Sequence, residues 1–373
     1  MGKYSILWQL NFKKMVPKPV PETELREWGK CLLNPSAKLV DRSRALWGLR
    51  HASEPLALEL LADFVCNYVR PSPVTNDLLQ HEAAYCLGQR GDVKAIPYLL
   101  QAIRNEKHVT LIRHEAAEAL AALTGFDGAD IVEVEKALKE FANSNITELA
   151  ETCQVGLCRI EWIKSRKEKQ QNESNPPTDD LALQFFPNTV DPAHSFSCDH
   201  SYTDEQLRDL LMDPTQTLFT RYRAMFTLRD RVLKAILDKT SPEKAANFLA
   251  EGLKAPNSAL LRHEVAFVLG QLTVASTVPP LSACVRATDE HPMVRHEAAE
   301  ALGSILGELE GKYLSSNVKS DVPKEFESQA RNVLEEFTKD KEPVVRESCI
   351  LALDVADYIS SPEQFQYAAV PQN

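Results

Sequence analysis

His114-Glu-Ala-Ala-Glu-Ala-Leu120 recurs without change at His296 to Leu302. A second stretch, His81-Glu-Ala-Ala-Tyr-Cys-Leu-Gly-Gln89, is matched by His263-Glu-Val-Ala-Phe-Val-Leu-Gly-Gln271. The two His-Glu dipeptides of a pair stand 33 residues apart, and the second pair follows the first after 182 residues. Upstream, Arg42-Ser-Arg-Ala-Leu-Trp-Gly-Leu-Arg50 is echoed by Arg221-Tyr-Arg-Ala-Met-Phe-Thr-Leu-Arg229. Downstream, Glu151-Thr-Cys-Gln-Val-Gly-Leu157 has a weaker counterpart in Glu347-Ser-Cys-Ile-Leu-Ala-Leu353. Each half of the chain thus holds about four units at a period of roughly 30 to 40 residues, the signature of a helical solenoid.

Each unit reads as two helices, for example Leu56 to Val69 followed by Asn76 to Gln89, with Leu56, Leu60, Leu61, Phe64, Val65 and Tyr68 at helical spacing. Pro97 sits where a helix tolerates proline, in the first turns of Ala95 to Ile103. The tract from Val294 to Gly303 resembles the second helix of a HEAT repeat. No stretch has a strand pattern, so the expected architecture is all-α: a HEAT-repeat solenoid of two pseudo-symmetric halves, each of about four helix pairs. The charged, glutamine-rich run from Lys164, the breaker Asn175-Pro-Pro-Thr-Asp-Asp180 and the prolines between Pro187 and Cys198 mark a linker. The expected division is 1–164, linker 165–203, and 204–373. Extra residues in the second half, about Gly311 to Val322, are expected in a surface loop.

With 44% hydrophobic and 25% charged residues, the 373-residue chain has the composition of a soluble globular protein. No run of eighteen apolar residues offers a membrane span. Met1 to Pro17 lacks a signal-peptide core, and Ile6 occupies the position where a myristoylation signal needs Ser or Thr. The eight cysteines (Cys31, Cys66, Cys86, Cys153, Cys158, Cys198, Cys284, Cys349) include no C-x-x-C pair and read as reduced thiols of a cytoplasmic protein. A net charge of −11 argues against nucleic acid and favours a basic partner or plain solubility. No P-loop, G-x-S-x-G or G-x-G-x-x-G motif occurs.

Nine histidines placed at random should yield fewer than one His-Glu dipeptide, yet four of the nine are used this way. Imidazole and carboxylate are donors for iron, manganese or zinc. Neighbouring repeats place equivalent helices about 8–10 Å apart, close enough for an imidazole on one and an imidazole plus carboxylate on the next to share an ion. The candidate ligands are His81, Glu82, His114, Glu115, His263, Glu264, His296 and Glu297. Two histidines and one carboxylate per metal in each half would leave positions open for oxygen or water. If the halves face each other, the two sites form a dinuclear centre. Both readings put each dipeptide in the first turn of the second helix of its unit, and the competing one makes it a cap complementing the helix dipole. Only the middle two units of each half carry the dipeptide, which favours ligation over capping. Glu118 and Glu300, four residues after their histidines, are either hydrogen-bond partners of the imidazoles or part of a solvated helix face. Cys86 reads as core. His51, His108, His194, His200 and His291 receive no role.

The four dipeptides, the tract His291-Pro-Met-Val-Arg-His-Glu-Ala-Ala-Glu-Ala-Leu-Gly303 and Val190-Asp-Pro-Ala193 together resemble the deoxyhypusine hydroxylase (deoxyhypusine monooxygenase) family over about 35 to 360. The resemblance implies a cytoplasmic, non-heme di-iron monooxygenase with two iron ions per chain and O2 as co-substrate. Its protein substrate would be translation initiation factor 5A, whose deoxyhypusine side chain is hydroxylated to hypusine. It also implies that His81, His114 and Glu115 hold one iron and His263, His296 and Glu297 the other. Glu82 and Glu264 would act beside the metals as catalytic carboxylates that attract the cationic side chain. A monomer without nucleic-acid or membrane partners is expected. Met1 to about Pro21 and the glutamine-rich start of the linker depart from the family pattern. A HEAT scaffold gripping a partner on its concave face, and a bilin-lyase-like repeat protein, are the other readings; neither accounts for four dipeptides in two symmetric pairs.

Overall fold

The computed structural model describes residues 19–66, 77–170, 181–186, 189–196, 202–315 and 324–361. The described residues contain helices and turns and no strand. They divide into two compact units, one ending at Ala193 and one beginning at His194.

The N-terminal unit is built from α1 (Glu22–Leu33), α2 (Leu39–His51), α3 (Pro55–Cys66), α4 (Asp77–Gln89), α5 (Ile96–Arg104), α6 (Thr110–Leu123), α7 (Ile131–Phe141) and α8 (Thr147–Gln170), followed by the short α9 (Leu181–Phe185). Consecutive helices pack as the pairs α1/α2, α3/α4, α5/α6 and α7/α8. First helices stack on first helices and second helices on second helices, α2 on α4, α4 on α6 and α6 on α8. No unit can bury its apolar face alone, and stacking supplies the continuous core of a solenoid. Pro97 lies at the start of α5 as expected, where its missing N–H is not needed.

The C-terminal unit repeats this plan with α10 (Asp204–Met212), α11 (Leu218–Leu237), α12 (Glu243–Glu251), α13 (Ala259–Leu272), α14 (Val278–Arg286), α15 (Pro292–Ser315), α16 (Lys324–Phe337) and α17 (Pro343–Ser360). Its pairs are α10/α11, α12/α13, α14/α15 and α16/α17, with α11, α13, α15 and α17 stacked in order. Thr203 and Gln206 close a reciprocal capping box at the start of α10.

A second helix in the middle of such a stack is flanked on both sides and covered by its own first helix. It is therefore buried around most of its circumference: twelve of the fourteen residues of α6 are buried, as are twelve of the fourteen of α13. Most polar residues on these helices, the His-Glu dipeptides among them, are consequently interior groups. Four cysteines, Cys86, Cys153, Cys284 and Cys349, are buried, and all seven described cysteines are free. Burial lifts the thiols of Cys153, Cys284 and Cys349 to about 12, which leaves them unreactive.

Helix α8 runs through Gln170, into the expected linker, and α15 runs through Ser315, into the expected loop. The N-terminal stretch through residue 18, residues 171–180 of the linker, residues 316–323 and Cys198 lie outside the described residues.

Candidate metal centre

Each of the four histidines is the fifth residue of its helix: His81 in α4, His114 in α6, His263 in α13 and His296 in α15. They stand in the second turn, not the first, because each helix starts three residues before the Gln or Arg that precedes the histidine. A side chain there is beyond the unpaired N–H groups that a cap satisfies. Val109, just before α6, provides no side-chain cap, and α13 is capped by Ser258. That second-turn position argues against the capping reading. All four dipeptides are buried, with relative exposures of 0–5%.

In the N-terminal unit, α4 and α6 bring two dipeptides together. The His81 and His114 rings lie with centroids 5.5 Å apart. His81 Nε2 is 3.0 Å from Glu115 Oε2, and His81 Nδ1 is 3.3 Å from Glu82 Oε1. One ligand atom from each of His81, His114 and Glu115 falls within 4.8 Å of the others. Burial alone would push the His81 imidazole down, but Glu115, with help from Glu82, outweighs it and carries the pKa up to about 10.

In the C-terminal unit, α13 and α15 build the same arrangement. The His263 and His296 ring centroids are 5.4 Å apart, and His263 Nε2 is 3.4 Å from Glu297 Oε2. Glu264 is buried beside His263 on α13. Behind His296, its Nδ1 is 3.5 Å from Glu300 Oε1. The ring separation and the His–Glu contact across the two helices agree between the units to within about 0.4 Å.

The residues that hold these helices in register were only partly recognised from the sequence. Arg113 and Arg295, immediately before a dipeptide, reach back ten residues, Nε donating at 2.9 Å to the carbonyls of Ile103 and Val285 at the end of the preceding helix. Arg42 and Arg221 make the same bond to Leu32 and Leu211. The guanidinium carbons of Arg113 and Arg295 also lie 5.3 and 5.6 Å from the ring centroids of Phe141 and Phe337, on the first helix of the next unit. Gln80 substitutes in α4, donating to the Phe64 carbonyl at 2.8 Å. Arg262 departs from the pattern and forms a bidentate pair with Glu290 at 2.7 and 2.8 Å. The available signal was an Arg nine residues after the end of four of the first helices, at Arg42, Arg113, Arg221 and Arg295; its partner became visible only with the helix ends.

The donor set fits a divalent cation. Buried carboxylates are costly unless a positive charge or hydrogen bonds compensate them, and a metal among His81, His114 and Glu115, or among His263, His296 and Glu297, supplies that charge. Two imidazoles and a carboxylate suit iron, manganese or zinc and leave coordination positions for small molecules.

Profiles for HEAT repeats and for the PBS lyase HEAT-like repeat match residues 246–354 and 79–105. The chain is 39% identical to deoxyhypusine hydroxylase of Gibberella zeae over 92% of each chain. It is 37% identical to that of Mus musculus, over 94% of this chain and 96% of the relative. Among solved structures, that of human deoxyhypusine hydroxylase in complex with glycerol superposes with a TM-score of 0.69 at 35% identity, covering 90% of this chain and 97% of that one. With its duplicated helical repeats and paired His-Glu clusters, the chain belongs to the deoxyhypusine hydroxylase family.

Proposed function

We propose that this chain is a deoxyhypusine monooxygenase acting on translation initiation factor 5A, with one iron held by His81, His114 and Glu115 and a second by His263, His296 and Glu297. The observation that carries the metal assignment is the pair of buried His/His/Glu clusters, with ring separations of 5.5 and 5.4 Å in the two units. Iron, when bound, would supply the activation of O2 that an unreactive aliphatic C–H bond requires; with two electrons from an external reductant and two protons, one oxygen atom ends in the product hydroxyl and the other in water.

The protein's own part is binding and exclusion. Its imidazoles and carboxylates sit on helices fixed by the Arg and Gln bonds to preceding helix ends, so the donors are preorganised. Burial of all eight residues keeps bulk water from them and strengthens every charge interaction among them. Glu82 and Glu264 are assigned to attract the ammonium groups of the polyamine-like side chain, close enough to the histidines to orient the carbon to be hydroxylated. The divisions 1–164, 165–203 and 204–373 are proposed as two half-site domains and the segment joining them. No helix among the described residues is long and apolar enough to cross a membrane. We assign the protein to the cytoplasm as a monomer.

Metal analysis and turnover test the reading together. The purified chain should hold about two irons and add the mass of one oxygen atom to a deoxyhypusine-bearing factor. His81→Ala and His296→Ala should each abolish that addition while helical circular dichroism survives. A chain that takes up no metal on reconstitution, or a variant that still turns over, removes the corresponding assignment.

A further inference from the structure

The two half-sites agree in their histidines and differ in what stands behind them. In the C-terminal unit, Glu300 lies one turn beyond His296 on α15 and is 4% exposed, with Oε1 3.5 Å from His296 Nδ1. Ser348, fully buried on the neighbouring α17, donates its hydroxyl to the same Oε1 at 3.0 Å. A serine on one helix thus fixes a carboxylate on the next, and that carboxylate faces one nitrogen of the imidazole. At the corresponding positions of the N-terminal unit, Glu118 is half-buried. Thr152, the counterpart of Ser348, donates instead to the Glu148 carbonyl of its own helix at 2.8 Å.

We infer that Glu300, held by Ser348, is a positioning residue for His296. The carboxylate stands 3.5 Å from Nδ1, placed to draw the proton to that nitrogen when a metal takes Nε2 and so to fix the tautomer. A buried carboxylate needs donors, and the Ser348 hydroxyl serves it before metal arrives. Partners of this kind behind a metal-bound histidine typically change metal affinity by about 10- to 100-fold. This inference rests on the reading of His296 as a metal ligand.

The test titrates the full-length chain with Co(II), followed by its d–d absorption and by competition with a chelator. Thermal melts are recorded with and without the metal. Wild type is compared with His296→Ala, Glu300→Gln, Ser348→Ala and Thr152→Ala. Glu300→Gln should weaken one of the two Co(II) binding events by about 10-fold or more. Ser348→Ala should weaken the same event by less and shift the same absorption band, and Thr152→Ala should leave both events unchanged. The metal-free melts should stay near wild type while the rise in melting temperature on adding Co(II) shrinks. Wild-type affinity in both Glu300→Gln and Ser348→Ala overturns the inference, as does a loss explained entirely by the metal-free melts. Should Glu300→Gln fail to fold, Ser348→Ala decides alone, because it keeps the carboxylate. If wild type takes up no Co(II), or His296→Ala binds like wild type, the ligand reading itself falls.

Discussion

His51, at the end of α2, titrates apart from the proposed metal ligands and in the opposite sense from His81. Its Nδ1 lies 2.8 Å from the Trp47 carbonyl, so that nitrogen carries the proton, and its Nε2 accepts from Arg50 Nη1 at 2.9 Å. Burial and then the Arg50 charge push its pKa down to about 3, against about 6.5 in an unfolded chain. A depressed pKa means that the unfolded state binds the extra proton, so the contribution of His51 is present above about pH 6.5 and is lost as pH falls towards 3. His51→Gln should therefore flatten the fall of melting temperature between pH 7 and 4, by about one proton taken up on unfolding. An unchanged acid limb would show that His51 is protonated in the fold. At this scale the sequence was most informative where composition was improbable: four His-Glu dipeptides at two fixed intervals. Glu300 was visible as a residue on the His296 face, but Ser348 was not. Its relevance depends on which helix abuts α15, and no local pattern encodes that.

Helix contact decides whether two dipeptides meet. A Cβ placed on Gly88 in α4 would stand 2.8 Å from the Ala119 Cβ and 3.0 Å from its Cα in α6. Gly270 in α13 stands in the same relation to Ala301 in α15, at 3.1 and 3.0 Å. The Leu-Gly-Gln shared by both stretches is thus a point of close approach, and it lies two turns from His81 and from His263. Gly88→Ala should force α4 from α6, cost about 1–3 kcal/mol, and reduce metal held by His81, His114 and Glu115. Gly125→Ala is the control, since its added carbon would sit at an ordinary 3.5 Å from its nearest neighbour. Equal melting temperatures and metal contents for the two variants would show that the contact has room to spare. Helix pairs were legible from apolar periodicity: Leu56 to Val69 and Asn76 to Gln89 were expected, against Pro55–Cys66 and Asp77–Gln89 observed, with Val69 outside the described residues. Helix starts were less legible. The middle helices are buried all round, and little alternation of apolar and polar residues remains to mark their first turn. That is why the histidines fell one turn later than expected.

Duplication made the largest features the easiest to read, since an unchanged heptapeptide at both His114 and His296 announces two halves with one plan. The segment after α8 was harder, because its attachment is made by single groups: Arg159 donates to the Asp191 carbonyl at 2.7 Å, and Phe185 and Phe186 are buried. Net charge belongs to the molecule as a whole. A charge of −11 would attract a cationic protein substrate from beyond contact distance, and such attraction raises encounter rates by about 10-fold or more at low salt. Salt shortens the reach of that field to about 10 Å at 0.1 M and about 3 Å at 1 M, whereas charges buried beside the histidines are screened far less. The two contributions therefore separate by ionic strength. Between about 0.05 and 0.5 M salt, kcat/KM for the protein substrate should fall about 10-fold while kcat stays nearly constant. A parallel fall in kcat would place the salt effect at the buried carboxylates, and a kcat/KM independent of salt would leave the acidic surface with solubility as its role.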